Sequence, residues 1–260
     1  VLFPLSDDDR QLSRPALVTW LLLALNVAFF LYQLSSPDFT YGWSTVPQEI
    51  TSGVDLANDV PLDTAAPGQI PQRPGPGPAP FVYLTLLTAM FMHGGLAHIG
   101  GNLLYLWIFG DNVEHRFGHS TFLGFYLISG LVASFAQIAL DPDGLVPSLG
   151  ASGAISGVLG AYLVLFPRNR VNAVFFFQVV SVPAFLVLGL WIVFQFVSGW
   201  GSLFATEQTG GVAYGAHIGG FVAGVVGAFL LKGRGAREHR SVLSHAMEAD
   251  PRNRSLWGRR

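Results

Sequence analysis

Six runs of apolar residues dominate the chain, at about 16–34, 96–109, 121–140, 151–166, 173–200 and 211–231. Each approaches the roughly 20 residues that a helix needs to cross a bilayer. Lipid offers no partner to a backbone N–H or C=O, so apolar runs of this length form helices that satisfy their own hydrogen bonds. The expected fold is therefore all-α, a polytopic membrane protein with a bundle of six transmembrane helices. Composition agrees, because 51% of the 260 residues are hydrophobic and only 12% are charged, against roughly 25% charged in soluble domains. His98 and Asn102 interrupt the second run, which is expected to continue toward Glu114. The first run has few basic residues ahead of it and no small-residue cleavage site after it, so it is read as a retained span rather than a removed signal peptide. The absence of cysteine rules out disulfides and thiolate metal sites.

An even number of spans puts both termini on one side of the membrane. That side collects Arg10, Arg14, Arg116, Arg168, Arg170, Lys232 and the arginines of the C-terminal tail, which is 13 of the 14 Lys and Arg; only Arg73 lies opposite. Cytoplasmic loops gather Lys and Arg, so both termini are expected in the cytoplasm. Short loops and a basic interior match a bacterial plasma membrane. The chain divides into a cytoplasmic N-terminal segment (1–15), a six-helix membrane domain (16–231) and a basic cytoplasmic tail (232–260) touching solvent or lipid headgroups. Within the membrane domain, an external loop at 35–80 carries Asp38, Glu49, Asp55, Asp59 and Asp63 and ends in "APGQIPQRPGPGPAP", a composition that gives an extended, semi-rigid spacer. The segment "FVYLTLLTAMFM" (81–92) is apolar but too short to span, and reads as re-entrant or interfacial.

The fourth run opens "GASGAISG". On a helical wheel Ser152, Gly153, Ser156, Gly157 and Gly160 share one arc, while Ile155, Val158, Leu159 and Tyr162 face the other way. In the sixth run Ala213, Ala216, His217, Gly220, Gly224, Gly227 and Ala228 share an arc. Two faces of small residues invite close helix packing. That reading leaves His217 unexplained, because an imidazole inside a span needs a polar partner or a watery cavity. A lone serine says little, but the fourth and sixth helices run in the same direction, so Ser152 and His217 can meet near the external end. The second helix adds His98 and Asn102, four apart and on one face. His93 and His98 are five apart and no H-E-x-x-H pattern is present, so neither zinc nor any other cofactor is expected. His115 and His119, beside Glu114 and Arg116, read as a polar cytoplasmic loop.

Together these segments resemble the rhomboid family of intramembrane serine proteases. The likeness rests on His-x4-His-x3-Asn (His93, His98, Asn102), Gly-x-Ser-Gly (Gly150, Ser152, Gly153), Ala-His-x-x-Gly-x-x-x-Gly (Ala216, His217, Gly220, Gly224) and Gly-x-x-x-Glu-x-x-x-Gly (Gly110, Glu114, Gly118). The resemblance implies a rhomboid-like bundle and a dyad in which Ser152 attacks a peptide carbonyl and His217 is the general base. It also implies that His98, Asn102 and the Gly150–Ser152 backbone bind the oxyanion or substrate, while His93, Gly110, Glu114, Gly118, Gly153, Gly220 and Gly224 are structural. Hydrolysis needs water, so a polar cavity lined by His98, Asn102, Ser152, Ser156 and His217 is expected. The implied partners are single-span membrane proteins and lipid, not nucleic acid. Two positions depart from the family pattern. Leu84 and Thr85 stand where many members carry Trp-Arg, and Ser156 stands where many place an aromatic residue beneath the histidine. The alternatives are an inactive relative that binds membrane clients, which the presence of both Ser152 and His217 disfavours, and a transporter or channel, which the lack of internal two-fold symmetry disfavours.

Overall fold

The computed structural model describes residues 3–7, 15–56, 81–204 and 213–233. A short strand, β1 (Phe3–Ser6), precedes α1 (Leu17–Ser35). Two short helices follow, α2 (Pro37–Trp43) and α3 (Pro47–Ser52), each with proline in its first turn, where the missing N–H has no helical partner to lose. The 81–92 segment forms consecutive helical turns, Val82–Leu84, α4 (Thr85–Thr88) and Ala89–Phe91. Then come α5 (Leu96–Phe117), α6 (His119–Leu140), α7 (Ser152–Leu165), β2 (Arg170–Phe175), β3 (Gln178–Pro183), α8 (Ala184–Phe204) and α9 (Tyr214–Leu231).

Among the described residues α1, α6 and α9 are each long and apolar enough to cross a membrane, and Val82–Phe91 with α5, bent by 77°, is a fourth candidate. The chain is thus a mostly helical, multi-pass membrane protein. α7 has 14 residues, about 21 Å at 1.5 Å per residue, and its position explains how it manages without full span length. Every residue from Gly153 to Tyr162 is buried, with α5, α6, α8 and α9 packed around it. The face bearing Ile155, Val158 and Leu159 therefore belongs to the protein core and not to lipid.

The small-residue faces meet as expected. A Cβ built on Gly220 would run into the Gly153 carbonyl oxygen, and one on Gly224 into that of Gly157, so α9 touches α7 through bare backbone. On the other flank, Ala133 and Ser129 of α6 fill the space beside Gly153 and Gly157.

Two expectations need correction. The apolar run at 173–200 is not one helix: its first part, with Arg170 to Phe175, folds into the β2–β3 hairpin, and α8 begins only after Pro183. Alternating Val171, Ala173, Val180 and Val182 put one hairpin face on the bundle, which is strand periodicity inside an apolar stretch. Within the N-terminal segment, β1 pairs antiparallel with β2 and extends the hairpin to three strands. His115 and His119 do not form a loop; α5 runs through His115 to Phe117 and α6 starts at His119, with Gly118 alone between them at φ +80°. Beside that junction Glu114, 1% exposed, accepts hydrogen bonds from the Val18 N–H (2.9 Å), the Thr19 N–H (2.7 Å) and the Thr19 hydroxyl (2.7 Å). It thereby caps the first turn of α1, and His119 Nδ1 approaches the same carboxylate at 2.5 Å. Gly110 lets α1 come close, since a Cβ there would lie 3.1 Å from a Thr19 methyl. The Pro-rich spacer and the C-terminal tail from Arg234 fall outside the described residues.

Candidate active site

Ser152 is the first residue of α7, so its backbone N–H belongs to the helix turn without intrahelical partners. Gly150 turns the chain into that helix at φ +127°, and its N–H donates to the Ala89 carbonyl at 2.8 Å. His217 lies in the first turn of α9, its N–H bonded to the Ala213 carbonyl. Two helix N-termini packed backbone to backbone thus bring the side chains together, with His217 Nε2 lying 2.8 Å from Ser152 Oγ. On the far side of the ring, Nδ1 lies 2.7 Å from Gln195 Oε1, a residue of α8 that is 6% exposed. An amide oxygen only accepts, so Nδ1 carries the proton and Nε2 is left with its lone pair toward the serine hydroxyl. The Trp191 ring, one turn earlier on α8, flanks the imidazole at 5.9 Å between centroids and a tilt of 39°.

α5 supplies the other wall. A Cβ added to Gly150 would lie 2.8 Å from the His98 ring and 3.7 Å from Ser152 Oγ, so ring, glycine and hydroxyl share one corner. Glycine is required there twice, by its φ and by the imidazole against it. The Gly94 N–H points at His98 Nδ1 (3.2 Å), which makes Nδ1 the acceptor and Nε2 the protonated nitrogen. His93 stacks edge-on against His98 at 5.1 Å. Gln33 of α1 fixes the His93 backbone in both directions, accepting from its N–H at 2.9 Å and donating to its C=O at 3.2 Å. Asn102, one turn beyond His98 and 8% exposed, keeps its amide nitrogen without a protein partner.

Ser156, one of the expected lining residues, is engaged within its own helix. The Ser156 hydroxyl donates to the Ser152 carbonyl one turn back at 2.6 Å and so bonds within its own helix. A cavity of about 30 Å³ borders Ser152, with Thr45, Met90, Ser134, Ser148 and Gly150 among its walls; this is room for about one or two waters. His98, Asn102, Ser156 and His217 are not part of that lining. Gln195, Trp191 and Gln33 went unnoticed in the sequence. The spacing of Trp191 and Gln195, four apart in an apolar run, was the available signal, because a buried amide in a membrane helix demands a partner.

The model of the Rhomboid domain matches residues 80–234, more than half of the chain. The chain belongs to the rhomboid family. Among its relatives, Rhomboid protein 1, mitochondrial, of Saccharomyces cerevisiae is 32% identical over 151 residues, covering 55% of this chain and 40% of that protein. Rhomboid protease GluP of Bacillus subtilis is 35% identical over 147 residues, covering 56% of this chain and 25% of that one. RHOMBOID-like protein 12, mitochondrial, of Arabidopsis thaliana is 32% identical over 167 residues, covering 58% and 47%. The chain thus spans less than half the length of these relatives. They come from mitochondria as well as from a bacterium, so the expectation of a bacterial plasma membrane finds no support in them. The rhomboid match takes in Ser152, His217, Gln195, His98 and Asn102, whereas α1, with the Thr19 that bonds α5 and the Gln33 that bonds His93, lies outside it.

Proposed function

We propose that this rhomboid is an intramembrane serine protease working through a Ser152–His217 dyad. The observation that carries this reading is the 2.8 Å contact between His217 Nε2 and Ser152 Oγ. In the tautomer set by Gln195, Nε2 takes the hydroxyl proton as Oγ attacks the scissile carbonyl, and later returns it to the leaving amine. In this reading the oxyanion accepts from the Ser152 N–H at the start of α7, the protonated Nε2 of His98 and the open amide of Asn102. Gln195 is a positioning residue, since its hydrogen bond goes to the imidazole and not to the serine. A neutral amide stabilises the imidazolium less than a carboxylate does, so slow turnover is expected.

The topology in this reading has six membrane helices, α1, α5, α6, α7, α8 and α9, with both termini cytoplasmic as the distribution of Lys and Arg favours. The N-termini of α7 and α9 then lie toward the external surface. Its substrates are membrane-spanning proteins, single-span ones foremost, cut near that surface. The residue segments 1–15, 16–231 and 232–260 keep the roles of cytoplasmic lead, membrane domain and cytoplasmic tail.

The test is labelling of the reconstituted protein by a fluorophosphonate, followed by cleavage of a single-span substrate in the same vesicles. Label and cleavage should both vanish in Ser152→Ala and in His217→Ala. A folded wild-type protein that takes no label and cuts nothing would overturn the proposal.

A further inference from the structure

We propose that the β2–β3 hairpin is a lipid anchor whose tip lies in the boundary between headgroups and acyl chains. Phe175 pairs with Gln178, so the turn consists of Phe176 and Phe177 alone. Two-residue hairpin turns need positive φ and favour Asn-Gly or similar pairs. Here Phe176 sits at φ +54°, the one non-glycine residue with positive φ among the described residues. Both rings stand clear of the protein, Phe176 at 79% and Phe177 at 101% exposure. An aromatic pair at a turn that penalises it, with no described residue covering it, is unfavourable in water and favourable in a bilayer interface.

The rest of the sheet grades accordingly. On its outer face the residues near the base are polar and bonded together, with Asn172 donating to the Ser6 hydroxyl at 3.0 Å and Arg170 donating to Ser181. Toward the tip the same face becomes Phe3, Val174 and Val179, with Phe3 and Val179 well exposed. Beyond the base, a second exposed apolar flank is formed by Phe185, Leu186 and Leu190 on α8, the surface of a helix that faces lipid in a multi-pass protein. Exposed Arg168 and Arg170 stand at the base, the charge that anionic headgroups attract. The occupant that fits an apolar tip, a basic base and an adjoining lipid-facing helix is the bilayer itself.

This inference needs only that the helices cross a membrane and stands apart from the serine chemistry. The chain has no cysteine, so Phe177→Cys, carrying a polarity-sensitive fluorophore, gives one labelled site in the full chain. In vesicles of phosphatidylcholine and phosphatidylglycerol its emission should shift to the blue, be quenched by nitroxides near the lipid headgroups and be shielded from aqueous iodide. Val179→Cys should behave in the same way, while Ser181→Cys, near the base, should remain open to iodide. Circular dichroism of each variant checks that the helices are intact. Labels at 177 and 179 that iodide reaches freely and lipid nitroxides do not would overturn the proposal. Shielding from both quenchers would also overturn it, since another copy of the chain would then be the cover.

Discussion

The orientation of His217 depends on Gln195, which no single stretch of sequence places beside it. Ser156 lies beneath the dyad with its hydroxyl bonded to the Ser152 carbonyl, and Gln195 reaches in from α8 to hold Nδ1. Replacing Gln195 by Ala removes a hydrogen bond worth about 1 kcal/mol, so fluorophosphonate labelling should slow by roughly fivefold. Gln195→Glu restores an acceptor and should recover most of that rate, whereas a purely structural residue would show its effect in melting temperature for both variants alike. Asn102→Ala should slow substrate cleavage by roughly 100-fold to 1000-fold, the loss typical of one oxyanion donor, while leaving stability nearly unchanged. Ser152, His217, His98 and Asn102 were legible in the sequence because an imidazole or amide is conspicuous in an apolar run. Gln195 has the same property and was passed over, because its partner nitrogen is 22 residues away and no spacing rule links them.

Helix α7 sets the distance between serine and histidine through its backbone contact with α9. A methyl group at Gly220 would overlap the carbonyl of Gly153, the residue next to the serine. Gly220→Ala should therefore cost about 1–3 kcal/mol by overpacking, lowering the melting temperature in detergent and the labelling rate together. Gly124→Ala, where a Cβ meets nothing within 4 Å, should change neither. The small-residue faces of these two helices were readable from the wheel. The β2–β3 hairpin was not, because valine and phenylalanine raise hydropathy equally in a strand and in a span, and only the alternation of Val171 with Ala173 and Val180 with Val182 distinguished them. In α3, burial pushes the Glu49 carboxyl above its usual range despite the Leu56 N–H it accepts. The folded state then binds more protons than the unfolded one between the ordinary and the raised values, so stability falls as pH rises through that window. Glu49→Gln should melt higher than wild type at neutral pH and show a flatter melting temperature across that interval.

At the level of the whole molecule, the N-terminal arm ties distant elements into one unit. Asp7, directly after β1, accepts from the Tyr162 hydroxyl of α7 and from the Asn112 amide of α5 at 2.8 Å. Asp7→Ala would leave those buried donors short of a partner, a loss of about 1–3 kcal/mol; thermal unfolding should register it without any change at the dyad. Hydropathy showed the membrane class and the positions of most helices, but it carried no information about this arm, whose bonds join residues more than 100 positions apart. The pairing of Ser6 with Asn172 also sets a clock for biosynthesis. At roughly 5–20 residues per second, the first strand leaves the ribosome about ten to thirty seconds before its partner exists. The nascent chain carries an unpaired edge while α1, α5, α6 and α7 are made, and that edge closes only once β2 has emerged.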